Sequence, residues 1–342
     1  MSRCAIVSFR LGLTDGVSIV ADTWRHSLEA LGWDTVTVAG EGPVDRTVPG
    51  LALGAAEPPS PGEIEAALAD VDLVVVENAL TIPMNLPATR ALAATLRDRP
   101  ALLHHHDPPW QREHFAHVTE LPPDDPAWRH VTINRFTATE MASRGIAATC
   151  IPNGFDPDPP PGDRAATRAR LGVGDDERLM VHPVRAIPRK RVDVAVAVTE
   201  ALGGTYWLVG PAEDGYGDEL ERILAAARCP VRREGDVTPA DFYAAADLVV
   251  FPSSWEGFGN PPVEAATHGR PALVGHYPAA DELRELGFRW FAPDEIAAVD
   301  ALLTSPDDEL VEHNRSVART HLSLDRLTER IGAVLDAAGW LP

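Results

Sequence analysis

Short apolar runs alternate along this chain with longer segments in which apolar residues recur every three or four positions. The first pair shows the pattern: Cys4–Ser8 has the composition of a buried strand, and Ser18–Leu31 carries its apolar residues at helical spacing. Mostly apolar strands that alternate with helices are typical of parallel sheets covered by helices on both faces. The pattern therefore predicts an α/β protein with doubly wound sheets.

The predicted strands fall into two groups separated by a proline-rich break. The first group continues with Thr35–Val38, Val71–Glu77, Ala101–His105, Val131–Asn134 and Thr149–Pro152. The second group contains Leu179–Pro183, Thr205–Val209, Val231–Glu234, Leu248–Pro252 and Pro271–Gly275. We therefore expect an N-terminal domain over residues 1–152, a linker over 153–162, a second domain over 163–320, and a helix in 321–342 that returns to the first domain.

Length and charge narrow the classes of function. A chain of 342 residues is right for two domains of roughly 150 residues each. It has 51 acidic and 30 basic residues and a formal charge of −21, which argues against a nucleic-acid partner and an anionic membrane surface. The three cysteines have neither disulfide-framework nor zinc-site spacing, and no segment resembles a membrane span or a secretory leader. We expect a cytoplasmic protein without an integral membrane segment.

The basic residues are almost all arginine, and Lys190 is the single lysine among them. A compositional bias of this kind replaces lysine wherever arginine serves equally well. The two side chains are not interchangeable where a compact point charge is required. Lys190 is therefore a candidate functional residue, with chance survival as the alternative.

The loop after the fourth predicted strand of the second group has the features of an anion and polyol site. Gly257 and Gly259 permit unusual backbone dihedral angles and close approach of a ligand. Asn260 suits the N-cap of the next helix, whose free amides would attract an anion. Glu256 and Glu264 flank the loop. Because a carboxylate accepts hydrogen bonds from two hydroxyls, this pair suits a sugar or a ribose.

The run Glu-Gly-Phe-Gly-Asn-Pro-Pro-Val-Glu, from Glu256 to Glu264, resembles the signature of the retaining glycosyltransferases of family 4, in which seven residues separate two glutamates. The resemblance implies the GT-B fold, in which two Rossmann-like domains face a central cleft. It implies that Glu256 lies by the 3-hydroxyl of the donor sugar and that Glu264 holds the nucleotide ribose. The residues it places against the sugar and the diphosphate are Gly257, Phe258, Gly259 and Asn260.

A second segment, Val184–Asp193, resembles the family's Gly-Arg-Leu-x-x-x-Lys-Gly-x-Asp pattern. It places Arg185 and Lys190 on the two cations that neutralise the donor diphosphate, which would explain why the chain keeps one lysine. Two such cations stabilise the charge that grows as the leaving group departs. The segment differs from the family at Val184 and Arg191, where glycine is frequent. Arg191 is either a third cation or a solvent-exposed side chain.

Weaker matches extend this site. They add three donor-binding candidates, which are Gly16, Gly210 and Val237. The histidine triplet 104–106 lies where the family has a histidine beside the donor sugar, and His106 is the preferred candidate. Consecutive strand residues point to alternate faces and cannot all bind one metal ion, so no metal site is expected. The acceptor-side candidates are Asp107, Trp110 and Arg112.

The resemblance implies transfer of a hexosyl group from a UDP- or GDP-sugar to a hydroxyl of a small-molecule or glycan acceptor, with retention at the anomeric carbon. Because the chain has no evident nucleophile, the expected route is front-face attack, without a metal or another cofactor. The expected catalytic set is Glu256, His106, Arg185 and Lys190.

Several alternatives share parts of this site. A pseudo-glycosyltransferase or a sugar-nucleotide epimerase would keep a similar donor site, although the acids and the base that an epimerase needs are not evident. A non-catalytic nucleotide-sugar-binding protein is a further interpretation. An inverting GT-B enzyme would need a base in the first domain, for which His106 is the obvious candidate.

Overall fold

The computed structural model describes residues 2–13 and 15–342, which form two compact units. The first unit consists of the chain up to Gly154 together with Leu324–Pro342, and the second is Phe155–Ser323. Each unit is built around one parallel sheet. The prediction of an α/β protein with two doubly wound sheets is therefore confirmed.

The sheet of the first unit has seven parallel strands in the order β3-β2-β1-β4-β5-β6-β7. They are β1 (Arg3–Arg10), β2 (Asp34–Glu41), β3 (Arg46–Thr47), β4 (Leu73–Glu77), β5 (Ala101–His105), β6 (Trp128–Thr132) and β7 (Ala148–Cys150). The chain starts in the middle, builds outward to β3 and then crosses to the other side at β4. In such sheets ligands bind at the carboxyl edge near this reversal. Glu77 and His104 are paired in register at that edge.

Alternate residues of the central strands pack into separate cores on the two faces of this sheet. The helices are α1 (Gly16–Ala30), α2 (Pro61–Ala67), α3 (Leu86–Thr95), α4 (Arg135–Ser143) and the C-terminal α13 (Leu324–Ala338). Val7 joins a core that includes Leu92 of α3. Ile6 joins the opposite core with Trp24 of α1 and Leu327 of α13. The last helix thus completes the core of the first unit.

The second unit has a five-stranded sheet in the order β10-β9-β8-β11-β12. The strands are β8 (Leu179–His182), β9 (Thr205–Leu208), β10 (Val231–Arg232), β11 (Leu248–Phe251) and β12 (Ala272–Val274). The helices are α5 (Arg164–Leu171), α6 (Val192–Ala201), α7 (Gly217–Ala226), α8 (Pro239–Ala245), α9 (Asn260–Thr267), α10 (Pro278–Glu285), α11 (Ile296–Thr304) and α12 (Asp308–Leu322). Among the described residues, no helix combines the length and the apolar character needed to cross a membrane.

Helix α5 and strand β3 carry no apolar pattern by which the sequence would predict them. Helix α5 reads Arg-Ala-Ala-Thr-Arg-Ala-Arg-Leu, which has too few apolar residues to show a helical period. Its end signals were present, however. Asp163 accepts a hydrogen bond from the amide of Ala166, and Gly172 ends the helix at φ +63°. Strand β3 contains two residues, too few for any pattern.

The start of α9 corrects the prediction that Asn260 is its N-cap. The helix begins at Asn260, and the N-cap is Gly259 with φ +103° and ψ +60°. Only glycine adopts such a left-handed backbone without strain. A Cβ at Gly259 would also lie 2.2 Å from the Tyr277 hydroxyl oxygen. The glycine therefore sets the helix start one residue earlier than the asparagine suggested.

A buried arginine fixes α5 in the second unit. The side chain of Arg168 is 1% exposed. Its guanidinium donates to the carbonyl oxygens of Ala245 at 2.9 Å, Gly174 at 2.6 Å and Glu177, and it contacts the Asp247 carboxylate at 3.2 Å. Buried polar groups are expensive to leave without partners. This network should therefore contribute strongly to stability.

We expect Arg168→Ala to lower the free energy of unfolding by about 3 kcal/mol, since it removes a buried guanidinium that donates to three carbonyls and one carboxylate. The matched control is Arg170→Ala on the same helix, where the side chain is 47% exposed and pairs with Glu234. Such a surface pair contributes at most about 1 kcal/mol. Urea unfolding followed by circular dichroism measures the free energy of unfolding of both variants. An equal decrease in Arg168→Ala and Arg170→Ala would contradict the expectation.

Candidate functional site

The loop that follows β11 lies at the carboxyl end of a central strand, between β8 and β12. It is tightly packed against its neighbours. A Cβ at Gly275 would lie 2.2 Å from the carbonyl oxygen of Ser253, and the buried Phe258 ring stacks on Phe155 with centroids 6.0 Å apart. Of the remaining loop candidates, Gly259 is buried, whereas Gly257 and Asn260 are half-buried. The loop therefore has a defined path.

Glu256 in this loop is buried and bound by two cations. Lys190 Nζ lies 2.5 Å from Oε1, and Arg189 Nη1 lies 2.5 Å from Oε2. Arg189 and Lys190 are neighbours in a 3₁₀ turn, Pro188–Lys190, between β8 and α6. The structure thus brings together two residues predicted for the site, Glu256 and Lys190. It also adds Arg189, which the sequence analysis missed.

The electrostatics of this cluster favour an ionised Glu256. Burial by itself would raise the pKa of the Glu256 carboxyl, but Lys190 and Arg189 outweigh it and the pKa is lowered. Burial lowers the pKa of Lys190, and the nearby Arg189 and Arg185 guanidiniums add to that effect, while Glu256 opposes it. The Lys190 side chain is 13% exposed, and its ammonium lies 5.0 Å from the centroid of the Phe251 ring. One carboxylate therefore faces more positive charge than it can neutralise.

Arg185 precedes this turn and is 47% exposed. Its Nη1 lies 2.9 Å from Glu213 Oε2, so the guanidinium does not share the carboxylate of Glu256. Arg191 adopts φ +52° and ψ +55°, the left-handed conformation that explains why glycine suits this position. Its guanidinium pairs with Asp193 at 2.8 Å on the surface.

The two weaker donor candidates of the second unit lie in loops at the same sheet edge. Gly210 follows β9 and packs closely on the loop after β8, because a Cβ there would lie 2.3 Å from the Val184 carbonyl oxygen. Val237 follows β10 and is half-buried, and its amide donates to the Gly235 carbonyl at 3.0 Å. Both positions thus belong to the carboxyl edge of the sheet.

Glu264 lies in α9 and has a different partner from Glu256. The Tyr243 hydroxyl donates a hydrogen bond of 2.6 Å to its Oε2, and the Tyr243 ring stacks on His268 at 4.8 Å. Burial raises the pKa of Glu264, and the hydrogen bond from Tyr243 only partly opposes this. The two glutamates of the motif therefore differ: one is held charged by cations, and the other is held by a neutral hydroxyl.

In the first unit, His106 lies beside a buried carboxylate that the sequence analysis did not identify. His104 Nδ1 and His106 Nε2 lie 2.9 Å and 3.0 Å from the same oxygen, Glu77 Oε2. Although burial would raise its pKa, the two imidazoles lower the pKa of Glu77 to about 2. Asn78, at φ +59°, accepts from the amides of His106 and Asp107 and fixes the turn after β5.

His105 points to the opposite face of β5, as the alternation of strand side chains requires. Its Nδ1 lies 2.6 Å from the Thr81 hydroxyl and its Nε2 lies 2.9 Å from His130 Nδ1. The triplet therefore cannot act as one ligand set. Glu77, His104 and His106 do present three ligand-type atoms within 4.8 Å of one another, and these are the described residues that could hold a metal ion.

The acceptor-side candidates are engaged within the first unit. Arg112 pairs with Asp107, and the Trp110 indole nitrogen donates to Glu140 Oε2 at 2.9 Å. The Arg144 guanidinium lies 3.9 Å from the centroid of the Trp110 ring. One face of this ring is therefore covered, which leaves less of it for stacking on a sugar.

Gly16 is the first residue of α1, whose N-cap is Asp15. The carboxylate of Asp15 accepts from the amides of Val17 and Ser18, so it already satisfies part of this helix end. A Cβ at Gly16 would meet no atom within 4 Å. Thr14, two residues before Gly16, lies outside the described residues.

The part of the chain that carries Arg189, Lys190 and Glu256 is similar to known glycosyltransferase sequences. Residues 180–308 match a family model described as Glycosyl transferases group 1. Mannosylglucosylglycerate synthase from Thermotoga maritima is 25% identical over 421 residues, which cover 96% of this chain and 98% of that protein. D-inositol 3-phosphate glycosyltransferase from Segniliparus rotundus is 34% identical over 165 residues, covering 43% of this chain and 37% of that enzyme.

Solved structures resemble the whole chain. HepE from Anabaena, crystallised with UDP-glucose, has a TM-score of 0.78 at 20% identity and covers 98% of this chain and 100% of its own. Sucrose-phosphate synthase from Thermosynechococcus elongatus has a TM-score of 0.76 at 15% identity, with 98% and 99% coverage. At these identities the similarity establishes the fold. Together with the family match and the named relatives, it identifies this chain as a glycosyltransferase with the GT-B fold.

Proposed function

We propose that this protein is a retaining glycosyltransferase that moves a hexosyl group from a UDP- or GDP-sugar to a hydroxyl of a small-molecule or glycan acceptor. The observation that carries the proposal is the buried contact between Lys190 and Glu256 at the carboxyl edge of the second sheet. The single lysine of the chain contacts the loop after β11 at this edge, which is where open α/β sheets bind ligands. The Glu-x₇-Glu spacing of family 4 supports the same assignment.

In this proposal the positive charge of the turn after β8 binds the donor diphosphate. Lys190 and Arg185 are the cations assigned to it, and Arg185 is exposed and contacts Glu213 at the surface. Surface pairs of this kind are weak, so a diphosphate can displace one. The cations stabilise the leaving group as its charge grows, and no metal cofactor is needed for that role.

The two glutamates would bind hydroxyls at the two ends of the donor. Glu256, ionised by its cations, accepts from the sugar, and Glu264 accepts from the ribose in place of the Tyr243 hydroxyl. Gly257, Phe258 and Gly259 approach the ligand through their backbone amides. HepE was crystallised with UDP-glucose, which supports a uridine nucleotide as donor. The loop sequence resembles mannosyl-type enzymes, which keeps GDP-mannose as the second candidate.

The proposed reaction is a front-face displacement. The bond between the anomeric carbon and the β-phosphate oxygen breaks, and the acceptor oxygen forms its bond to that carbon on the same face. The acceptor proton passes to the departing phosphate oxygen, which serves as the base. The resemblance to family 4 assigns His106, which contacts the ionised Glu77, the role of orienting the sugar. The protein contributes positioning and charge stabilisation.

Replacing Lys190 with alanine should lower turnover by about 100- to 1,000-fold, the effect of removing one preorganised group that stabilises developing charge. Steady-state kinetics with the preferred donor measures the change, and circular dichroism checks that the variant is folded. Arg222→Ala is the control, because that side chain is 72% exposed and pairs within α7. Unchanged turnover in Lys190→Ala would remove the diphosphate assignment.

The donor and the stereochemistry are tested together. We expect a UDP- or GDP-sugar to raise the melting temperature, since a ligand present at 100 times its Kd adds about 2.7 kcal/mol of stability. With that donor and a panel of acceptors, proton NMR should show a new glycoside with the anomeric configuration of the donor. Inversion would reject the front-face route. Binding without transfer to any acceptor would favour the non-catalytic alternative.

A further inference from the structure

Glu256 is bound by two cations, but only Lys190 has a place in the family pattern. Arg189 falls on one of its unspecified positions, and neither the motif nor the proposed mechanism uses it. The carboxylate has one negative charge, so one of the two cations is in excess when a diphosphate arrives. The cation that stays on Glu256 when the donor binds determines the protonation and the orientation of this carboxyl.

The two side chains are held differently. Arg189 Nη1 contacts Glu256 Oε2 at 2.5 Å and donates to the Trp255 carbonyl at 2.9 Å. The carbonyl of Arg189 accepts from the Ser254 amide at 2.9 Å. This arginine is therefore attached to the glutamate loop through both its main chain and its guanidinium.

Lys190, by contrast, makes one ion pair through a single ammonium on a flexible stem. A compact ammonium can move between two anions more easily than a planar guanidinium that donates to both a carboxylate and a carbonyl. Lys190 is also beside Arg185, whose charge lowers the pKa of the lysine and thus disfavours the crowded cation cluster. An incoming diphosphate relieves that repulsion when it takes Lys190.

We propose that Arg189 is the positioning residue that keeps Glu256 oriented toward the donor sugar while Lys190 transfers to the diphosphate. The inference rests on the proposed function, because it assumes that a nucleotide sugar binds at this loop. Without Arg189, Lys190 would have to serve both anions. A buried carboxylate that loses its only cation tends to take up a proton, and a protonated Glu256 would donate where the sugar hydroxyl requires an acceptor.

The charged and titratable groups around Glu256 fix the sign of the expected pH effect. Lys190 and Arg189 face it from the turn after β8, and Tyr277 faces it from the residue before α10. Burial raises the pKa of Tyr277 well above its usual value, so this phenol stays neutral. Removal of Arg189 therefore takes away one of two cations and should raise the pH at which Glu256 becomes protonated.

The first test needs no donor. Carbon-13 labelled glutamate carboxyls are titrated by NMR in the whole protein, with the Glu256 signal assigned from Glu256→Gln. In Arg189→Gln the titration midpoint of the Glu256 carboxyl should rise by about one to three pH units, because one guanidinium close to a carboxylate usually lowers its pKa by that amount. Arg189→Lys should stay near the wild type. The matched control Arg191→Gln, which alters an exposed arginine paired with Asp193, should titrate like the wild type.

The second test is the pH profile of kcat/KM for transfer. The acid limb of Arg189→Gln should move to higher pH, and Arg189→Lys should restore it, while Arg191→Gln keeps the wild-type profile. A wild-type acid limb in Arg189→Gln would overturn the inference, even if its rate were lower at all pH values. So would an unchanged Glu256 midpoint by NMR. If the wild type transfers no sugar, the proposed function fails, and the NMR titration alone then decides the role of Arg189.

Discussion

The carboxylate of Glu256 is buried in the second unit and shares its two oxygens between Lys190 and Arg189, each at 2.5 Å. Burial disfavours each of these charges alone, so the carboxylate and its cations stabilise one another only as a group. The arrangement also constrains the backbone. It needs the 3₁₀ turn after β8 and the glycine-bounded loop after β11 to lie side by side, which neighbouring parallel strands provide. Function and local fold thus depend on the same contact.

Two cations face one buried carboxylate in this cluster, so an anion that binds there would neutralise the excess positive charge. In the proposed function this anion is the donor diphosphate. It would bind Lys190 and the exposed Arg185, while Arg189 stays on Glu256. Glu264, assigned to the ribose at the other end of the donor, accepts a hydrogen bond from the neutral Tyr243 hydroxyl. The two glutamates of the motif therefore have different partners: Glu256 contacts two cations, and Glu264 contacts a neutral hydroxyl.

Much of this could be predicted from sequence, because the informative signals are local. Apolar runs located eleven of the twelve described strands, all except β3, and so placed the loop of Glu256 at a strand end. The single lysine indicated Lys190. Other features carry no local signal. Arg189 is one arginine among many in a chain with a single lysine, and its partner is 67 positions away. Glu77 ends an apolar strand, which was a visible sign, but its two imidazole partners come from the neighbouring strand and from the turn after it.

The proposed role of this cluster requires Lys190 to leave Glu256 for the donor diphosphate. A crystal structure with an intact UDP- or GDP-sugar would show this step. We expect Lys190 Nζ within hydrogen-bond distance of a phosphate oxygen, with Arg189 still on Glu256 and the sugar hydroxyls at the Glu256 carboxylate. A nucleotide sugar bound elsewhere, with Lys190 still paired to Glu256, would contradict it.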